Sequence, residues 1–160
     1  MIMKVYEYDK KRYVVSIILP NIIVMGLIFI YSLYNNFKFI GVNIFTLLLF
    51  VSIYTLFNTL ISLSYPSKIV DTGSEYQFHA FGRKHVFKKK DIENIKIREL
   101  AATRMYIRIN NGSILRGRFW IKYSFYSNGE EFNDNIHALE KELNPKSLKY
   151  KNHNTKKEIL

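Results

Sequence analysis

The side chains with chemistry to offer in this chain are mostly basic. Its 160 residues include 24 Lys and Arg against 13 Asp and Glu, a formal net charge of +11. Arg83, Lys84, Lys88, Lys89 and Lys90 crowd around one turn. Arg104, Arg108, Arg116 and Arg118 surround another, with Tyr106 among them. Cations at this density can simply keep a surface solvated. They can also bind anionic lipid headgroups, at about 1 kcal/mol per well-placed Lys or Arg, or, with an aromatic on a sheet, stack nucleic-acid bases. We rank the three in that order, because one Tyr without a recognition motif gives no reason to expect nucleic acid. The candidate headgroup- or partner-binding residues are therefore Arg83, Lys84, Lys88, Lys89, Lys90, Tyr106, Arg108, Arg116 and Arg118.

Other chemistry finds little footing. The chain has no cysteine, which excludes disulfide scaffolds, Cys-ligated zinc and thiol catalysis. His79, His85, His137 and His153 are scattered, and the hairpin that carries the first two puts them on opposite faces, so no metal site is expected. Glu130, Glu131, Asp134, Glu140 and Glu142 lie on one helical segment. Glu130 and Glu131 suit the positive end of that helix, whereas a glycosidase pair would need a cleft and one raised pKa. No nucleophile elbow and no Gly-rich phosphate loop occurs. The expectation is no catalytic residue, no metal, no cofactor, no small-molecule substrate and no enzyme.

The elements that would position the cations are set by two uncharged runs. No charged residue occurs from Tyr13 to Phe37 or from Phe39 to Ser67. Two membrane-spanning helices are predicted, at about 14–34 and 42–63, each near the ~30 Å that ~20 helical residues cover. Both are apolar all round, and Tyr13, Tyr31, Tyr34 and Tyr65 near their ends suit the lipid–water interface. The first run is too long for a signal-peptide core and lacks a small-residue cleavage site, so it reads as an uncleaved anchor. Pro20 and Asn21 predict a kink or a packing face in the first span. Asn43 and Asn58 are candidates for gluing helices, across the hairpin or between copies. A channel or transporter would need ionisable groups at mid-membrane depth, and none is present. Lys4, Lys10, Lys11 and Arg12 precede the first span and 19 basic residues follow Tyr65, while the connecting loop holds only Lys38. The positive-inside rule then puts both termini in the cytoplasm, in a multi-pass cell-membrane protein. The Asn111-Gly112-Ser113 sequon would face the cytoplasm and is read as a turn.

Residues 1–13 read as a cytoplasmic N-terminal segment, 66–144 as a cytoplasmic domain and 145–160 as a basic, disordered tail. In the domain, Tyr76, Phe78 and Ala80 alternate with polar residues up to Gly82-Arg83. A type II′ turn there sets Phe78 opposite Phe87 and Ala80 opposite His85. Ile95 and Ile97 alternate with Lys96 and Arg98. In RMYIRINNGSILRGRFW a three-residue loop, Asn110-Asn111-Gly112, keeps the faces unmixed. It places Ile107 opposite Leu115 and Met105 opposite Gly117, with Gly112 in the left-handed position. Phe132, Ile136, Leu139 and Leu143 form one helical stripe. Ser127 and Glu130 fit a capping box, and Pro145 lies beyond the helix end.

Two spans, a run of short antiparallel strands and one amphipathic helix resemble small membrane-anchored bacterial proteins with a pleckstrin-homology-like (PH-like) domain. The likeness is carried by PSKIVDTGSEYQFHAFGRKHVFKKKDIENIKI, with its D-I-x-x-I-x-I strand, by RMYIRINNGSILRGRFW, and by the terminal helix. The resemblance implies an α+β soluble part, a half-open antiparallel β-barrel or sandwich capped by a C-terminal helix, beside a membrane α-helical hairpin. It also implies a non-enzymatic interaction or regulatory module at the inner membrane face, in envelope defence or immunity to bacteriocin-like toxins. Its partner surfaces would be the arginine strip and an apolar groove beside the closing helix, facing a protein partner or a second copy. The alternative is an accessory subunit of a larger membrane complex, binding through the hairpin. The mean hydropathy of −0.08 averages an apolar hairpin with a polar domain and describes neither.

Overall fold

The computed structural model describes residues 3–38, 41–101, 103–113, 115–145, 147 and 149. The chain opens with a strand, β1 (Lys4–Glu7), followed by a helix of 27 residues, α1 (Lys10–Asn36). After a short link comes α2 (Ile44–Leu60). Six strands follow: β2 (Lys68–Asp71), β3 (Glu75–Ala80), β4 (Arg83–Lys88), β5 (Ile95–Leu100), β6 (Arg104–Ile109) and β7 (Arg118–Lys122). Helix α3 (Gly129–Leu143) closes the described fold.

Helix α1 is long and apolar enough to cross a membrane. Its stretch Val14–Val24 is π-helical. Pro20 lies inside it; proline has no N–H to donate and crowds the carbonyl of the preceding turn, so the local winding widens instead of breaking. The second apolar run forms a shorter helix than the 42–63 predicted: α2 has 17 residues, about 26 Å at ~1.5 Å per residue. It is trimmed by its own polar ends. Asn43 caps it by accepting from the Phe45 and Thr46 amides, and Leu63 leaves it in the left-handed region at φ 51°. The two helices meet through small residues: Ser32, Ser52 and Thr59 are fully buried, which lets the backbones approach closely. Thr46 also donates to Asn36 across the hairpin at 2.8 Å.

The strands form two separate antiparallel sheets, β1-β2-β3-β4 and β5-β6-β7, so that of the expected barrel or sandwich the barrel does not close. Their inner faces pack on one another. Phe78 of the first stacks on Phe119 of the second at 4.0 Å, and Phe87 meets both edge-on at 6.0 Å. The expectation for residues 1–13 also changes, since β1 pairs along its length with β2, Tyr6 opposite Ile69. Tyr6 is buried against Phe132 of α3 and accepts a hydrogen bond from Asn135. Period-two alternation over only four residues, ahead of a basic flank, gave no reason to read a strand there.

Both hairpins keep the expected faces and change register. The first turns at Phe81-Gly82, both at positive φ, so Ala80 pairs with Arg83 and Phe78 with His85. A left-handed Phe is disfavoured on backbone grounds. Here its ring packs beside Tyr13 of α1 (6.2 Å between centroids) and the core holds it. The shift is two residues, so Phe78 and Phe87 still share a face. In the second hairpin Ile107 pairs with Phe119 and Met105 with Ile121, a slide of four residues. The loop is longer than three residues, because the Ile109 amide bonds to the Gly117 carbonyl at 2.9 Å. Asn110 and Asn111, not Gly112, take the left-handed positions. Gly112 is required by space: a Cβ there would lie 2.6 Å from the Gly117 carbonyl oxygen.

Phe132 and Ile136 of α3 are buried in the core, with Leu139 and Leu143 packed at its margin. Ser127 does not cap this helix. Asn128 is the cap residue, without a side-chain bond. Ser127 instead takes up β1, accepting from the Glu7 amide through its hydroxyl and donating its own amide to the Glu7 carbonyl, both at 2.9 Å. The supposed tail also begins later than Pro145, since Lys149 bonds to Glu140 at 2.8 Å. Ser147 likewise donates its amide to the Asn144 carbonyl at 3.1 Å, while residues 146, 148 and 150–160 lie outside the described ones.

If β1 is part of the core, Tyr6→Ala should lower stability by about 3 kcal/mol, the range for truncating a large buried side chain. Met3→Ala, at an exposed position, should change nothing. Denaturant unfolding in detergent measures both; equal behaviour of the two variants would return residues 3–7 to a solvated arm.

Candidate functional site

Alternation along β5, β6 and β7 sorts their side chains onto two faces. The inner face carries Ile95, Ile97, Met105, Ile107, Ile109, Phe119 and Ile121, all buried. The outer face reads across the strands as three rows: Leu100, Arg104, Lys122; Arg98, Tyr106, Trp120; and Lys96, Arg108, Arg118. Six of these nine side chains are cations and none is a carboxylate. Tyr106 and Trp120 form a ring pair at 4.6 Å in the middle. Like charges directly opposite one another destabilise a sheet, and this sheet places Arg104 opposite Lys122 and Arg108 opposite Arg118. None of the six takes part in an ion pair among the described residues.

The basic residues singled out from the sequence divide between this face and other duties. Arg108 and Arg118 lie on it, each also donating to a carbonyl of the loop between β6 and β7, at Asn111 and Gly112, 2.8 Å away. Tyr106 is there too. Arg116 is not: its guanidinium crosses to β4, donates to the Val86 carbonyl at 2.6 Å and sits 5.1 Å above the Phe87 ring. With Lys88 it lines an opening of ≈ 460 Å³ between β4 and the β6–β7 loop, floored by Phe87, Ile92 and Ile109. Lys89 is engaged by the buried carboxylate of Asp71 at 2.9 Å and lies over Tyr76. Arg83 and Lys84 stay on the first hairpin, away from the rows, and Lys90 stands with Lys88 and Lys89 beside Glu75.

Five members of the face, Lys96, Arg98, Leu100, Trp120 and Lys122, were missed, and Arg104, though counted with the arginines of that turn, was not among the candidates. The Ile95/Ile97 alternation already put Lys96 and Arg98 outward. Trp120 and Lys122 depended on the register of the second hairpin. Glu140, one of the five carboxylates placed on the closing helix, is buried and accepts the Ile97 amide at 2.8 Å. The apolar stripe of α3 is absorbed by the core, and neither the opening beside Arg116 nor the cavity described next is lined by that helix.

Of the proposed membrane-packing residues, Asn43 is the cap of α2. Asn58 donates to Tyr54 of its own helix at 2.9 Å. Pro20 lies within the π-helical stretch, and Asn21 borders a cavity of ≈ 330 Å³ between α1 and the sheet, with Ser16, Ile17, Arg104, Trp120 and Lys122 among its walls. At the other end of β7, Ser113 and Leu115 share an apolar opening with Phe50, Ile53, Tyr54 and Phe57 of α2. Between these ends the Trp120 amide donates to the Ser64 carbonyl at 2.8 Å. Strand β7 thus runs across the base of the helical hairpin.

Among the described residues no group of three or more His, Asp or Glu side chains is arranged to hold a metal ion. Burial, with Arg116 and Arg83 nearby, lowers the pKa of His85; burial, with Lys84 and Lys68, lowers that of His79. The chain matches no protein-family model, no characterised protein and no solved structure.

The histidine shifts fix a pH dependence. A folded-state pKa below the unfolded one means that the unfolded chain binds the proton first, so the stabilisation is present above the unfolded value, about 6.5, and is lost as pH falls through the folded one. Melting temperature should therefore drop between about pH 7 and pH 5, and His85→Gln should flatten part of that drop. Thermal unfolding at several pH values checks this; an unchanged slope in the variant would remove His85 from the account.

Proposed function

We propose that the chain is a non-enzymatic, membrane-anchored interaction module at the inner face of the cytoplasmic membrane. In this reading both α1 and α2 cross the bilayer, the termini lie inside, and a PH-like domain rests on the surface with its cationic sheet face toward the lipid. The observation that carries it is the outer face of β5–β7: six cations without a carboxylate, on the sheet whose edge strand crosses the base of the apolar hairpin. A negatively charged leaflet offsets the mutual repulsion of such a face. The length of α2 is compatible with a span because Asn43 and the Ser62–Ser64 turn can sit at the interfaces while Ile44, Leu47, Phe50, Val51 and Ile53 face lipid, as their exposure allows. Seven strands arranged as four and three, followed by a helix, support the PH-like resemblance. A protein partner or a second copy would meet the surfaces turned away from the lipid. The envelope-defence role implied by that resemblance predicts that expression protects cells from a pore-forming peptide.

Topology is directly testable because the chain has no cysteine of its own. Phe37→Cys, between the two helices, should react with a membrane-impermeant maleimide in intact cells. Glu142→Cys, on exposed α3, should react only after permeabilisation. Labelling of both from outside, or of neither, would overturn the two-span orientation.

A further inference from the structure

We propose that the cavity between α1 and the ends of β6 and β7 binds the anionic headgroup of a membrane phospholipid, its phosphate held between Arg104 and Lys122. The inference rests on the reading that α1 crosses the membrane. The cavity measures ≈ 330 Å³, and among the described residues no carboxylate lines it. Arg104 and Lys122 face each other across the strands, and neither forms an ion pair among the described residues. Lys122 lies 3.7 Å and Arg12 4.8 Å from the centroid of Phe125, another wall residue. Two cations, Arg104 and Lys122, therefore line the cavity where a single anion would relieve their repulsion, with Arg12 against the Phe125 wall. An arginine fork and a lysine point charge are the usual partners of a phosphate.

The position favours a lipid over a free phosphate. The uncharged run begins at Tyr13, and the wall residues Ile17 and Asn21 lie four and eight residues into it, about 6 and 12 Å at ~1.5 Å per residue. Ile17 thus lies at the depth of the headgroup–acyl boundary, ~5–10 Å, and Asn21 just below it. Ile17 gives an acyl chain an apolar wall, Ser16 and Asn21 offer polar partners at glycerol depth, and Trp120 and Tyr65 border the opening. Both aromatics suit an interface that is apolar on one side and wet on the other.

Trp120 is the only tryptophan in the chain and reports on the cavity. The full chain is placed in nanodiscs of one composition, phosphatidylglycerol in phosphatidylcholine, with bromine on the acyl chains of one lipid or of the other. Per bromine, the phosphatidylglycerol discs should quench Trp120 with a preference of about tenfold, the order expected for two well-placed cations. Arg104→Gln with Lys122→Gln should abolish the preference without changing the melting temperature, while Arg83→Gln with Lys84→Gln, on the first hairpin, should retain it. Equal quenching by both lipids overturns the proposal and leaves the spanning reading intact. Loss of the preference in both double variants also overturns it, in favour of non-specific charge. Quenching by neither lipid overturns the spanning reading itself. If excess glycerol phosphate or inorganic phosphate abolishes the preference, the site takes a free phosphate and the lipid assignment falls.

Discussion

The pairing of β1 with β2 constrains everything else in this molecule. The two strands are antiparallel neighbours, Val5 opposite Val70 and Tyr6 opposite Ile69, yet the whole helical hairpin lies between them in sequence. Neighbouring strands sit about 4.8 Å apart, so both feet of the hairpin are held at one edge of the first sheet. A domain hung from a single strand end could swivel; one whose sheet includes both feet cannot. Further bonds lock the junction. The Tyr8 amide donates to the Ser67 carbonyl at 2.9 Å, the Asp9 amide to that of Phe125 at 2.9 Å, and the Tyr13 hydroxyl to that of Tyr65 at 2.8 Å. Tyr126, buried and with its pKa driven well up by that burial, adds a hydroxyl bond to the Pro66 carbonyl. The first three join the start of the hairpin to chain beyond its end, and the last ties together two segments that both follow it.

Rigid attachment gives the cationic face its meaning. Isolated surface charges add little to stability, because water screens them. Opposed cations on adjacent strands cost a little, and here that cost is incurred in two of three rows with no acid to relieve it. A Glu at Arg118 or at Lys122 would have relieved the repulsion in its own row. A face that keeps it, on a sheet whose orientation is fixed relative to the helices, has its counter-charge outside the chain. The first sheet behaves in the opposite way. Lys4 pairs with Glu131 at 2.7 Å, Lys68 with Glu7 at 2.9 Å and Lys89, just beyond β4, with Asp71, and the Lys68 contact lowers the Glu7 pKa.

Much of this was legible in the amino-acid order, and the exceptions have physical causes. Apolar runs and period-two alternation mark the helices and the faces of every strand from β3 onward, because burial enforces the pattern. Register was not legible. It turned on Phe81 accepting a left-handed backbone for the sake of its packing, and on a loop closed by Gly112 and Gly117 approaching each other. Neither is visible in local propensity. β1 was hidden for a related reason: four residues carry too little period to signal a strand, and the partner lies some sixty residues on. The face was half legible, since Arg108 and Arg118 came from charge clustering, while Trp120 and Lys122 waited on the corrected pairing. Arg116 belonged to the same cluster in sequence and yet serves the seam between the sheets, which shows the limit of reading charge without register.

How the face lies relative to the helices follows from the two ends of β7. From Arg104 to Arg108 the sheet advances four residues, about 14 Å at ~3.4 Å per residue. That exceeds the ~8 Å over which charges act in physiological salt. If the sheet stood upright on the hairpin, only the Arg104–Lys122 row would feel a charged leaflet, and the Arg108–Arg118 row would be idle. The contacts argue against that posture. One end of β7 meets α1 at Ile17 and Asn21, and the loop at the other end meets α2 from Phe50 to Phe57. Both ends thus reach apolar helix, each well inside its uncharged run. In the proposed orientation a strand held low at both ends would lie along the membrane surface, not away from it, and would bring all three rows within range of the same leaflet. The exposed Leu115 side chain would then meet lipid in place of water, which is the condition under which an exposed apolar residue beside a row of arginines costs nothing.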